Sequence, residues 1–218
     1  MEIGLIFLAI ILASLITWLV KQTVNVQPWV AEGVTEASYQ APFNARPKVV
    51  ALVTLLAVIT SFFALVVSAY SLRMELGDWI PLTEPQLLWT NTAILVLASI
   101  AFQWTRNAAS AGNAQRLKPG LLVTGLLTTA FLVGQYMAWQ QLNASGHYIT
   151  TNPADAFFYL LTGLHAMHIL GGMYVWARAT VRVFSGHDNA EESIQLCTVY
   201  WHFLLVVWLV LFGLMLST

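Results

Sequence analysis

Charge is what this chain has least of. Asp, Glu, Lys and Arg make up 9% of its 218 residues, against roughly 25% in an ordinary soluble domain. The nine Lys and Arg nearly balance the ten Asp and Glu, and a net charge of −1 offers no basic surface for nucleic acid. Cysteine is scarcer still. Cys197 is the only one, so neither an internal disulfide nor a CxxC redox pair can be built, and it is read as an apolar filler. Internal repeats, low-complexity tracts and a stretch suited to a soluble domain are also missing from the sequence. So are the paired, broken hydrophobic segments that mark many secondary transporters.

What the chain does have is apolar length. Hydrophobic residues make up 58% of it, and six stretches free of Asp, Glu, Lys and Arg are long enough to cross a bilayer core, which takes about 17 to 25 helical residues. They run from about Ile3 to Val20, Val49 to Leu72, Gln86 to Trp104, Gly120 to Leu142, Ala156 to Ala177 and Ser193 to Ser217. The fold class is therefore an all-α membrane protein with six transmembrane helices. The first stretch is expected to be retained rather than cleaved as a signal peptide: Glu2 stands where a basic start belongs, Lys21 follows, and no small-x-small site closes it.

Lys and Arg near helix ends stay on the cytoplasmic side. Lys21, Arg46 and Lys48 lie in the first loop, Arg106, Arg116 and Lys118 in the third, and Arg178 and Arg182 in the fifth, with Arg73 alone on the other side. This predicts both termini outside. The long first loop, with Pro28, Pro42 and Pro47, predicts a division into an N-terminal helix and inner loop over 1–48 and a five-helix core bundle over 49–218. In "NASGHYITTNPAD" (143–155), Gly146, Asn152 and Pro153 form turns, and Asp155 is expected to cap the fifth span. Ser145 has no G-x-S-x-G frame and is not read as a nucleophile. His147 and His187 are expected to be solvated.

No span contains a carboxylate, Lys or Arg, the groups that bind ions or relay protons at membrane depth. Transport by this chain alone is thereby disfavoured. The groups left that could titrate near neutrality are His165 and His168 in "TGLHAMHILGGMYVW" (162–176) and His202 on the last span. Three residues apart, His165 and His168 are about 60° apart around one helix and share a face. Two readings stand. The imidazoles are neutral polar cross-links between helices, or lipid-headgroup contacts. Alternatively His168 and His202, one from each of two helices, are axial ligands of a haem b electron-transfer anchor. Gly163, Gly171 and Gly172 allow a neighbouring helix to approach closely. Trp139, Trp176, Trp201 and Trp208 are read as interface anchors or bundle filler.

"FFYLLTGLHAMHILGGMYVW" (157–176) followed by "YWHFLLVVWLVLFGLML" (200–216) resembles subunit III of haem-copper terminal oxidases, the cytochrome c oxidase subunit 3 family. Weaker blocks extend the resemblance: "PLTEPQLLWTNTAILVLAS" (81–99), "LVGQYMAWQQL" (132–142) and "ITSFF" (59–63), so that it covers about Arg46 to the C-terminus. It implies a multi-pass accessory subunit that is not itself catalytic and holds no cofactor, with haem and copper in partner subunits. Such a subunit docks beside subunit I in the bacterial cytoplasmic (inner) membrane, stabilises it during oxygen reduction, and binds phospholipid in a cleft between a small and a larger helix bundle. It implies, too, that His165, His168 and His202, with Trp201, form an inter-helix polar cluster or lipid contact without a metal. The family form often has seven spans, so the first bundle is reduced here. Many members carry acids where this chain has Phe62, Ala138 and Leu205. An accessory subunit of a nitric oxide reductase resembles the same histidine helix and is the close rival.

Overall fold

The computed structural model describes residues 47–81, 85–186 and 190–217. Regular structure among them is entirely helical: α1 (Pro47–Met74), α2 (Leu87–Ser110), α3 (Ala114–Ala144), α4 (Pro153–Phe184) and α5 (Ala190–Leu216). All five are long and apolar enough to cross a membrane, and they answer to the second through sixth expected spans. The first, Ile3 to Val20, lies outside the described residues, as does His187.

The helices outrun the charge-free stretches. α3 takes in Arg116 and Lys118 before the apolar run begins, because its start is fixed by Asn113, whose side chain accepts from the Arg116 backbone N–H at 3.1 Å. α4 likewise begins at Pro153, not Ala156. Its cap is Asn152, whose Oδ1 accepts from the Ala154 N–H at 2.7 Å, with Pro153 in the first helical position where its missing N–H costs nothing. The expected cap, Asp155, is instead a buried first-turn residue. Between α2 and α3 the chain reverses within Ala111–Asn113. Gly112 sits at φ 64° there, which a side chain would disfavour.

The chain divides into two compact units at Ala69/Tyr70. In the second, α2 packs against α3 and α5, and α4 against α3 and α5, closing a ring of four helices. Its core includes Leu95, Phe131, Phe158, Ile169, Leu204 and Trp208. Tyr70 belongs to this unit and meets Trp79 and Phe157 edge-on, with centroids 4.9 and 5.5 Å away.

The distribution of polarity across this ring is that of a membrane bundle. Leu97, Ile100, Leu126, Met167 and Val210 are exposed, whereas Asn91, Ser99, Thr128, Gln135, Thr162 and His165 are buried. In water that arrangement would expose large apolar patches. In lipid it puts hydrocarbon against hydrocarbon and keeps polar groups inside the bundle.

Candidate functional site

The polar interior of the ring begins with threonines. Thr92, Thr128 and Thr162 each donate to the carbonyl four residues earlier, and Thr124 to Leu121 three residues earlier, so their hydroxyls satisfy themselves on their own helix. A threonine oxygen bonded this way still accepts. Tryptophans from neighbouring helices use that capacity: Trp208 of α5 donates to Thr92 of α2 at 2.9 Å, Trp176 of α4 to Thr124 of α3 at 3.1 Å, and Trp139 of α3 to Thr162 of α4 at 3.0 Å. Two helix pairs are thus clasped by indole N–H groups, α2 to α5 once and α3 to α4 twice. Trp201 is buried too, stacked on Phe102 with centroids 4.3 Å apart. Reading these indoles as filler missed the clasps, since nothing in the one-dimensional sequence pairs a Trp with a Thr 52 or 116 residues away.

Close approach comes from only one of the three glycines singled out in the sequence. A Cβ on Gly172 would come within 2.7 Å of both Tyr200 and Trp201. On Gly163 it would make ordinary contact with Trp139, and on Gly171 it would meet nothing within 4 Å. Gly125 and Gly134, not singled out, are tighter: Trp176 lies over the first and the Asn91 amide over the second.

The three histidines meet different partners. Half-buried His202 takes Ser99 and Gln103, one turn apart on α2: Ser99 Oγ lies 2.5 Å from Nδ1 and Gln103 Oε1 lies 3.1 Å from Nε2. Gln103 spends its N–H on Asn107, leaving its oxygen to accept from Nε2–H, while the Ser99 hydroxyl donates to Nδ1. A neutral imidazole satisfies this pattern and joins α5 to α2. His168 donates from Nδ1 to Leu164 O on its own helix at 2.7 Å, and the Tyr200 hydroxyl donates to the His168 carbonyl at 3.0 Å. The fully buried ring of His165 lies against Trp208 and Phe131, with centroids 5.0 and 6.0 Å away.

A second polar group closes the α3–α4 connection. His147 is not simply solvated: its Nδ1 lies 3.2 Å from the buried Asp155 carboxylate, which also accepts from Asn152 Nδ2 at 3.3 Å. The Tyr159 hydroxyl lies 2.9 Å from Asn143 Oδ1 and 2.8 Å from the His147 carbonyl. Beside it an open groove of about 530 Å³ is lined by Tyr136, Trp139, Tyr148 and Tyr159, with Gln140 and Asn143. The aromatic wall and polar rim suit the interfacial zone of a bilayer.

Five apolar helices with clasps of neutral polar side chains define a multi-pass α-helical membrane subunit. The family model for cytochrome c oxidase subunit III matches residues 3–217. Among relatives, a probable cytochrome c oxidase subunit 3 of Mycobacterium leprae is 32% identical over 142 residues, which is 62% of this chain and 69% of that protein. A cytochrome c oxidase subunit 3 of Arabidopsis thaliana is 30% identical over 159 residues, 69% of this chain and 59% of the relative. The chain belongs to the cytochrome c oxidase subunit III family and is a subunit III of a haem-copper oxidase.

Proposed function

We propose that the chain is a non-catalytic accessory subunit, docked against subunit I in a bacterial cytoplasmic membrane, where it stabilises subunit I through turnover and holds phospholipid. Haem and copper reside in the partner subunits. The observation that carries this reading is the use of the polar interior. The Trp–Thr pairs and the His202–Ser99–Gln103 bonds are spent on holding helices together. Both nitrogens of His202 are engaged by α2, which supports a cross-linking role over haem ligation.

The chain has six spans with both termini outside, organised as the N-terminal helix and loop over 1–48 and the core over 49–218. Support for the orientation comes from the ring. Arg106, Arg116, Lys118, Arg178 and Arg182 all fall at the end where α2 and α4 finish and α3 and α5 begin, and such basic residues favour the cytoplasmic face. The aromatic groove and the exposed aliphatic faces supply lipid contact. His165, His168, His202 and Trp201 are assigned to an inter-helix polar cluster or lipid contact, in which His202 makes the direct side-chain bonds between helices.

The test is to purify the complex through a tag on this chain in mild detergent and record a reduced-minus-oxidised spectrum and oxygen uptake, beside the chain expressed alone. Haem and oxygen consumption are expected only with co-purified large subunits. Haem bound by the isolated chain and lost in His202→Ala would overturn the reading in favour of an electron-transfer anchor.

A further inference from the structure

Among the described residues of the four-helix ring, the Trp201 indole N–H and the Thr180 hydroxyl lack a hydrogen-bond partner, and so do the whole polar heads of three further side chains. Asn91 and Gln135 are 1% exposed and His165 is 0% exposed. The amide oxygens and nitrogens of the first two and both ring nitrogens of the third lack a hydrogen-bond partner. Buried polar atoms in native proteins are nearly always paired, with protein or with ordered water. One orphan atom is an ordinary exception, but three complete polar heads together are not.

The three heads come from three helices and share one level of the bundle. The Asn91 amide of α2 lies directly over Gly134 of α3, and Gln135 is the next residue. Phe131, one turn before Gln135, meets the His165 ring of α4 edge-on. Trp208 touches both, with centroids 5.0 Å from His165 and 5.2 Å from Phe131, and donates to Thr92, the neighbour of Asn91. One turn after Gln135, Trp139 bonds Thr162, three residues before His165. The fully buried Ala138, on the same side of α3 as Gln135, adds only a methyl group.

The chemistry of the set selects its ligand. Two carboxamides and an imidazole present N–H donors together with oxygen and nitrogen acceptors. None of the three side chains carries a carboxylate or a fixed positive charge, so an ion there would be stripped of water without a counter-charge. A small neutral molecule that both donates and accepts suits all of them, and a buried water typically bridges two to four such groups.

We propose that Asn91, Gln135 and His165 form a buried water site, in which one or more ordered waters bridge α2, α3 and α4 in the half of the ring nearer the α3–α4 connection. The waters supply the cross-link that the side chains do not make directly, so the site ties together helices that the Trp–Thr clasps join only in pairs.

The test is a density map of the intact oxidase complex at a resolution that shows ordered waters. A peak within hydrogen-bonding distance of at least two of the three side chains is expected. Direct bonds among the three with no intervening peak would overturn the proposal, and so would a lipid or partner-subunit group filling the place. A second map, of the complex carrying Gln135→Leu, is expected to lose or displace the peak. An unchanged peak in that variant would also overturn it, and the unsubstituted map decides the matter should Gln135→Leu fail to assemble.

Discussion

The Trp208–Thr92 clasp gives the sharpest test of how the ring is held. Thr92→Val keeps the side-chain shape and removes the oxygen that accepts from the indole at 2.9 Å. Trp208→Phe removes the donor and also part of a fully buried ring packed against Phe131 and His165. A residual cavity of ~40 Å³ at about 24 cal/mol per Å³ adds about 1 kcal/mol to that arm. The single substitutions are therefore expected to cost about 1 kcal/mol for Thr92→Val and about 2 kcal/mol for Trp208→Phe. Neither value isolates the bond, because Thr92→Val also deletes the hydroxyl's donation to Leu88. The double-mutant cycle cancels both side effects and leaves the coupling. Interhelical side-chain bonds in membranes average about 0.6 kcal/mol, with a maximum near 1.7 kcal/mol, and a bond from a fully buried indole to a half-buried hydroxyl belongs within that range. The assay is unfolding in mixed micelles titrated with SDS, followed by near-UV circular dichroism. A coupling of zero, with both single variants destabilised, would refute the clasp and leave Trp208 held by packing alone.

Gly125→Ala would drive a methyl into the Trp176 indole and disturb its bond to Thr124, for an expected loss of about 1–3 kcal/mol in the same titration. Gly171→Ala meets nothing within 4 Å and should stay within about 0.5 kcal/mol. Asn152→Ala removes the cap of α4 and should cost about 1 kcal/mol, read as a lower SDS midpoint that Asn152→Ser largely restores. In the last turn of α1, Arg73 grips Asp78 at 2.6 and 2.5 Å and holds its carboxyl below the ordinary value of 3.8. A depressed folded-state value means that the contribution is present above the unfolded value and fades as acid protonates the folded carboxyl. Asp78 is exposed and Arg73 partly so, and the effect is small. The difference in stability between the unsubstituted chain and Asp78→Asn should shrink as the pH falls below about 4, and a difference that grew in acid would contradict the pairing.

The five described spans were legible because lipid imposes one simple rule, a run of about 20 residues without charge. Their ends were not, because helices stop at caps and not where hydropathy changes. Asn113 and Asn152 carry the starts of α3 and α4 past the apolar runs. The family, too, was legible, in the paired histidine and Y-W-H-F blocks. The clasps were not, because a Trp reads as apolar in any hydropathy count, whereas its single N–H decides which helix it joins. The glycines divided for a similar reason. Gly171 and Gly172 are neighbours in sequence, yet 100° of helical rotation puts only the second against Tyr200 and Trp201.

The same geometry explains why the interior suits uncharged residues at 138 and 205. Ala138 is a fully buried member of the core that holds Phe131 and Trp208, and Leu205 packs against that core. Across the described spans no Lys or Arg stands inside the apolar stretches to pair with a carboxylate. An ionised acid at 138 would thus be stripped of water without a counter-charge, which costs several kcal/mol. The partners present are those an uncharged interior requires. Ser99 offers His202 a proton and Gln103 offers it an oxygen, so the imidazole is satisfied without a carboxylate. An uncharged residue at 138 and neutral partnering of His202 are therefore two sides of one arrangement. Its strength lies in many modest bonds, each between groups that are uncharged when paired and when parted, so that breaking one leaves no buried charge behind.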